Sequence, residues 1–264
     1  MRSLVTRCLE TIRRPVKEGR FVLLCVGIAS ISGILSSASA QAPAVSETSL
    51  TYGRSVQNRA LTATILGNGA NTTLIFGDFH GDERNTPGVV EKLRLYLQQH
   101  PNELTGRRVI LVPYANPDGW NAKTRVNARG VDINRNFPYG WKTVGRAERY
   151  NPGPSPASEP ETKSIISLLQ TYHPNKIVSI HCPLHLLNWD GENGKRIAAV
   201  MHEKNGYKVK GYIGYPTPGS FGDYCSKQVK IGLVTLELAD STVDKAWQEN
   251  REALLAAIRL DLAH

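Results

Sequence analysis

Two spacings of apolar residues alternate along the chain, one suited to strands and one to helices. Residues 72–79 (TTLIFGDF) and 108–113 (RVILVP) are apolar runs of strand length, and between them residues 87–99 carry apolar side chains at helical spacing. Pro87 stands where a first helical turn tolerates it. A second helix is expected from Ser158, whose hydroxyl can cap while Glu161 reaches back, with apolar positions continuing to Leu169. Then come a strand at 176–181 (KIVSIH), a helix near 196–203, a strand at 231–238 (IGLVTLEL) and a closing helix from 243 to about 262. Strands alternating with helices predict an α/β fold, a three-layer sandwich with a mixed, partly parallel central sheet.

In such sheets functional groups collect just beyond the carboxyl ends of the strands. His80 and Glu83 follow the first strand, His181 ends the 176–181 strand, and Glu237 sits near the end of the 231–238 strand. Residues 114–157, rich in Asn-Pro-Asp-Gly, Arg-Gly and Asn-Pro-Gly turns, are too many for a plain connector and suit a binding loop.

Composition narrows the setting. The chain has 264 residues and 41% hydrophobic residues, which suits one catalytic domain rather than two. Six basic residues up to Arg20, against Glu10 and Glu18, supply four of the nine formal positive charges. The remaining modest charge would favour anionic surroundings such as cell-wall polymer, but no basic helix or aromatic-basic interleaving points to nucleic acid, which is set aside as a partner. A mostly apolar run at 21–35 leads to Ala38-Ser39-Ala40, the outline of a secretory signal peptide. The run is short for a membrane span and interrupted by Gly27, Ser30, Ser32 and Gly33. The expected division is a signal peptide at 1–40, a linker at 41–50 and a catalytic domain at 51–264, giving a periplasmic or secreted protein with no stable membrane span after cleavage. An uncleaved anchor is the alternative. Cys182 and Cys225 are the cysteines left in the mature chain; an oxidising compartment permits a single bridge between them, and two buried free thiols are the alternative.

Zinc in hydrolases takes three protein ligands of imidazole and carboxylate type and keeps one position for water. His80, Glu83 and His181 meet that count, although a lone His-x-x-Glu pair among seven histidines is also what chance provides. Glu237 lies among Leu233, Val234, Leu236 and Leu238, where a carboxylate is costly unless paired or used. The competing reading is an outward-facing glutamate on an amphipathic strand. Residues 124–138 concentrate Arg125, Arg129 and Arg135 with Asn127, Asn134 and Asn136, a set suited to gripping carboxylates and equally to a solvated loop.

The ordered set Gly77-Asp78-Phe79-His80-Gly81-Asp82-Glu83, Asn116-Pro117-Asp118-Gly119, Thr124-Arg125-Val126-Asn127, Gly130 through Pro138, Ser179-Ile180-His181 and Thr235-Leu236-Glu237-Leu238 resembles the zinc carboxypeptidase family from about Tyr52 to Leu238. The resemblance implies that His80, Glu83 and His181 bind one zinc ion per chain. It likewise implies that Glu237 is general base and proton donor, that Arg125 stabilises the oxyanion, and that Asn134 and Arg135 hold the substrate's terminal carboxylate. Tyr215 stands 22 residues before Glu237, the separation the family uses for a tyrosine that closes over substrate.

Within the family, Gly214-Tyr215-Pro216-Thr217-Pro218-Gly219-Ser220-Phe221, His181-Cys182-Pro183-Leu184 and Asn188-Trp189-Asp190-Gly191 look like the bacterial murein peptide amidase, or D,L-carboxypeptidase, branch. That branch cuts between γ-D-glutamate and meso-diaminopimelate, so peptidoglycan stem peptides or muropeptides become the expected partners. The chain is short for the family, and export would move the substrate from recycled tripeptides to the wall itself. Asp223 or Lys227 would meet the extra amine and carboxylate of diaminopimelate. His100, His173, His185 and His202 are expected to be surface or packing residues. The rivals are an ordinary protein metallocarboxypeptidase, an aspartoacylase-like deacylase of N-acyl amino acids, and a wall-binding protein without turnover. The last needs a missing ligand or base, and none is missing.

Overall fold

The computed structural model describes residues 45–143 and 148–262. The segment expected as a signal peptide lies outside the described residues. The strands are β1 (Glu47–Arg54), β2 (Ala60–Leu66), β3 (Asn71–Phe76), β4 (Arg107–Val112), β5 (Lys176–His181), β6 (Leu184–Asp190), β7 (Lys208–Lys210) and β8 (Gly232–Ala239). They form one sheet in the order β1-β2-β4-β3-β5-β8-β6-β7. At its centre β4, β3, β5 and β8 run parallel, while β2 and β6 flank them antiparallel. The sheet is therefore mixed, as the alternation of periods predicts.

The central strands are nearly continuous in apolar residues because both faces are covered. Helices α1 (Thr86–Gln99), α4 (Gly191–Asn205) and α6 (Val243–Arg259) pack on one face, where Ile75, Leu111, Val178 and Leu236 meet Val90, Leu93, Ile197 and Leu254. Helix α3 (Pro160–Tyr172) covers the other, where Leu74, Ile110 and Ile177 meet Ile165 and Leu169. Short helices α2 (Pro117–Ala122) and α5 (Phe221–Asp223), the latter continued by a π-helical turn at Tyr224–Val229, lie in the segments that build the cleft.

Several expectations need correction. Glu47 pairs with Leu66 in β1, so the sheet begins inside the span expected as linker. That strand sits on the edge, mostly exposed, and its polar sequence hides it. The predicted cap at Ser158 does not form: α3 starts after Glu159, with Pro160 in its first turn. Ser158 instead donates to Glu159 Oε1 at 2.7 Å and receives Asn136 Nδ2 at 2.9 Å, while Glu161 accepts from Val56 N at 3.0 Å and Asn127 Nδ2 at 3.1 Å. Partners distant in sequence outcompete the local cap. Both Cys182 and Cys225 are free thiols.

Candidate active site

At the carboxyl end of β3 the chain leaves the sheet through Gly77 and Asp78, the latter at φ +54°. A turn closed by Glu83 N donating to His80 O at 3.0 Å then sets those two side chains together, with His80 Nδ1 2.6 Å from Glu83 Oε1. His181, the last residue of β5, brings Nδ1 to 3.1 Å from Glu83 Oε2 and 3.2 Å from His80 Nδ1. One potential ligand atom from each of the three residues lies within 4.8 Å of the others.

The outward ring nitrogens are occupied. His80 Nε2 lies 3.2 Å from Asp132 Oδ1, and His181 Nε2 lies 3.1 Å from Ser179 Oγ. Such outer partners fix the ring orientation and leave the inner Nδ1 lone pairs for a cation. Two inward imidazole nitrogens this close, facing a carboxylate, make a donor set that fits zinc. Burial alone would push the His80 imidazole down, but Glu83 and Asp132 outweigh it and hold the group up to about 9. For Glu83 the two histidines overcome burial and hold the carboxyl well below its usual range. Glu83 is thus held ionised between the two imidazoles, a negatively charged donor for a cation.

Glu237 enters from β8. Leu233, Thr235 and Glu237 line the cleft, whereas Val234, Leu236 and Leu238 alternate into the core beneath the helices. Glu237 therefore faces the cleft, neither packed in the core nor turned out to bulk solvent. Burial, with Glu83 nearby, raises its carboxyl against the lowering effect of His181. Leu184 N donates to Glu237 Oε2 at 3.4 Å.

The loop at 114–157 supplies the cations. Asn116 accepts from Gly119 N at 3.0 Å and donates to Phe79 O at 3.4 Å and Arg125 O at 3.3 Å, so this N-cap of α2 ties the His80 loop to the Arg125 loop. Arg125 donates through Nε and Nη2 to Asp132 Oδ2 at 3.1 and 3.0 Å, and its Nη1 lies 3.8 Å from Glu83 Oε1. Arg135 is buried, and its Nη1 donates to Asn134 O at 2.6 Å. Asn134 Oδ1 accepts from Phe221 N at 2.9 Å, which leaves the amide NH2 as the end able to donate. Tyr215 is 45% exposed at the rim.

The eight residues assigned to the metal, the proton transfer, the oxyanion and the terminal carboxylate, Tyr215 included, line one cleft. Three further participants were missed. Asp132 is fully buried and joins His80 to Arg125; it stands within the Gly130–Pro138 segment, but only its two contacts reveal a role. Tyr150 lies 5.1 Å from the Arg125 guanidinium carbon and 5.7 Å from that of Arg135, a ring between the two cations. Asp190 lies in the cleft itself. Of the two residues guessed for diaminopimelate, neither lines the catalytic cleft; Asp223 borders an adjoining cavity that shares Asn188, Asp190 and Tyr215 with it.

An α/β sheet with a metal-suited triad and a separate carboxylate at its strand ends defines the class as a metallohydrolase scaffold. Residues 33–196 match the zinc carboxypeptidase family. The chain is 32% identical over 200 residues to murein peptide amidase A of Escherichia coli (strain K12), covering 70% of this chain and 78% of that one. It is 30% identical to murein peptide amidase A of Vibrio campbellii, covering 71% and 77%. Among solved structures, murein-tripeptide amidase from Escherichia coli O157 superposes with a TM-score of 0.62 at 26% identity, over 81% of this chain and 93% of that chain. Carboxypeptidase A from Helicoverpa armigera, at 17% identity and TM-score 0.69 over 82% and 68%, shares the fold. The chain belongs to the zinc carboxypeptidase family, hydrolases that act on peptide bonds.

Proposed function

We propose that the protein is an exported zinc hydrolase of cell-wall peptides that cuts between γ-D-glutamate and meso-diaminopimelate. The observation that carries the reading is a single cleft holding the His80, Glu83, His181 triad and Glu237 together with Arg125 and Arg135. Similarity to two murein peptide amidases across more than three quarters of their length supports the substrate class.

Zinc, when bound, supplies Lewis acidity that makes water a nucleophile near neutral pH and polarises a carbonyl. His80, Glu83 and His181 would hold it, with Asp132 and Ser179 orienting the two rings. Glu237 takes the proton of the attacking water, then delivers it to the departing amine nitrogen. Arg125, steadied by Asp132, meets the negative charge that develops on the carbonyl oxygen. Arg135 and the Asn134 amide hold the terminal carboxylate, so that the scissile bond is the last one. Tyr215, at the rim, closes over the bound residue.

The purified mature chain should release free diaminopimelate from γ-D-glutamyl tripeptide, detected by mass, and a chelator should stop it. Turnover of N-acyl amino acids, or of α-linked peptides alone, would refute the substrate assignment. Export rests on the basic N-terminus, the apolar run at 21–35 and Ala38-Ser39-Ala40. Fractionation with N-terminal sequencing tests it: a mature protein starting at Gln41 is expected.

A further inference from the structure

We propose that Arg149 is a specificity-determining residue that receives a carboxylate carried by the substrate residue on the amino side of the cleaved bond. The inference rests on the proposed cut after γ-D-glutamate and names a chemical mark the enzyme reads there: the free α-carboxyl of that glutamate as opposed to its amide.

A second cavity adjoins the cleft at the metal-suited triad. The two share Glu83, Arg149, Cys182 and Pro183, and the second continues to Asn85 and to Thr242, the N-cap of α6. Asn134, Arg135 and Tyr215, proposed to grip and cover the terminal residue, line the cleft and not this second cavity. A peptide held by its terminal carboxylate must leave the triad on the other side, so the second cavity is its path. Arg149 stands where the two meet. The next residue, Tyr150, places its ring 5.1 Å from the Arg125 guanidinium carbon, which sets this short segment at the reacting end of the cleft.

The neighbouring cations are engaged by the protein itself. Arg125 bonds twice to buried Asp132. Arg84, on the second cavity, donates to the Gly81 and Trp120 carbonyls at 3.2 and 2.6 Å and lies 3.2 Å over the Trp120 ring. Arg149 is held more loosely. Its Nη2 lies 3.7 Å from Asp82 Oδ2, beyond hydrogen-bond reach, and the two side chains are 58% and 34% exposed. An exposed pair of this kind contributes little. A carboxylate arriving through the cleft can therefore take the guanidinium from Asp82 and accept two parallel hydrogen bonds from it.

The proposed substrate supplies such a group. A γ-linked glutamate offers its side-chain carbonyl for attack and keeps its α-carboxylate free, four bonds from the attacked carbon, about 5 Å when extended. An α-linked glutamate carries its side-chain carboxylate at the same separation. Amidation of either group keeps its shape but removes the charge and leaves one oxygen to accept where there were two.

Two matched substrate pairs, all ending in meso-diaminopimelate, test the assignment. One places L-Ala-γ-D-Glu or its α-amide, L-Ala-D-isoglutamine, before that residue; the other places α-linked N-acetyl-Ala-Glu or N-acetyl-Ala-Gln there. In whichever pair is cleaved, the wild-type enzyme should favour the carboxylate by roughly 10-fold in kcat/KM, the lower end for a charged hydrogen bond, because Arg149 is partly in water. Arg149→Gln should collapse that ratio towards one, and Arg149→Lys, which keeps the charge without the fork, should retain part of it. Thermal unfolding of each variant separates this from misfolding, since a folding defect lowers both members of a pair alike. A wild-type ratio near one, or a ratio unchanged in Arg149→Gln, overturns the inference. Failure to cut the γ-linked pair alone refutes the proposed wall substrate, while the α-linked pair still reports on Arg149. Failure on both pairs overturns both.

Discussion

His181 and Glu237 are register partners across the parallel pair β5 and β8. One imidazole of the metal-suited triad and the proposed base are thus held by the same ladder of backbone hydrogen bonds, and their relative position does not depend on a loop. Replacing Glu237 by Gln should remove proton transfer while leaving the triad intact. We expect kcat to fall by about 10²- to 10⁴-fold, with zinc content measured by atomic absorption unchanged. Normal turnover in this variant would remove Glu237 from the mechanism.

Metal removal should separate activity from folding. His80, Glu83 and His181 already bond one another and are anchored by Asp132 and Ser179. Dialysis against a chelator should therefore abolish hydrolysis while far-ultraviolet circular dichroism is retained, and added zinc should restore the rate. Loss of the dichroism signal together with activity would show that the site is not preformed.

Asp132 serves two partners with its two oxygens, His80 on one and Arg125 on the other. Both partners, together with Arg135, outweigh burial and hold this carboxyl well below the usual carboxylate range. Asp132→Asn should weaken zinc binding by about 10- to 100-fold, the usual cost of losing a partner of a ligand. It should also lower kcat at saturating zinc, because Arg125 loses its ionic anchor. Competition with a fluorescent chelator measures the first effect, and steady-state kinetics the second.

Lys176, fully buried at the start of β5, donates to Asn71 Oδ1 at 2.6 Å and to the Leu260 carbonyl. Burial, with Arg107 adding to it and Asp261 opposing it, lowers the ammonium to about 8 from an ordinary 10.5. Between those two values the unfolded chain keeps a proton that the folded protein has released. This lysine therefore contributes stability that grows as pH rises from 8 to 10.5 and is lost as pH falls through 8. Urea unfolding of wild type and Lys176→Met across that range should differ in slope, the wild type gaining stability relative to the variant. Parallel slopes would refute the assignment.

Local chemistry explains what was legible before the structure. His80 and Glu83 are three residues apart, and a single turn suffices to make them neighbours. The strands β3, β4, β5 and β8 are apolar on both faces, so they stand out in sequence, and the strand-end rule then groups His181 and Glu237 with the first pair. The edge strands β1 and β7 did not stand out, because an exposed strand carries a polar sequence. The Ser158 cap was misread for a related reason, since its hydroxyl answers Asn136, 22 residues away.

By itself, then, the sequence determined the parallel centre of the sheet, the chelating pair and the family, since each depends on the spacing of neighbours along the chain. Only the tertiary structure decided that Glu237 faces the cleft, that Asp132 couples His80 to Arg125, and that Asp190 rather than Asp223 or Lys227 lies in the cleft itself. Most of those are relations between segments separated by tens of residues, such as His80 with Asp132. They follow from strand register and from which carboxylate a buried cation can reach, and neither quantity is written in any local stretch of the chain.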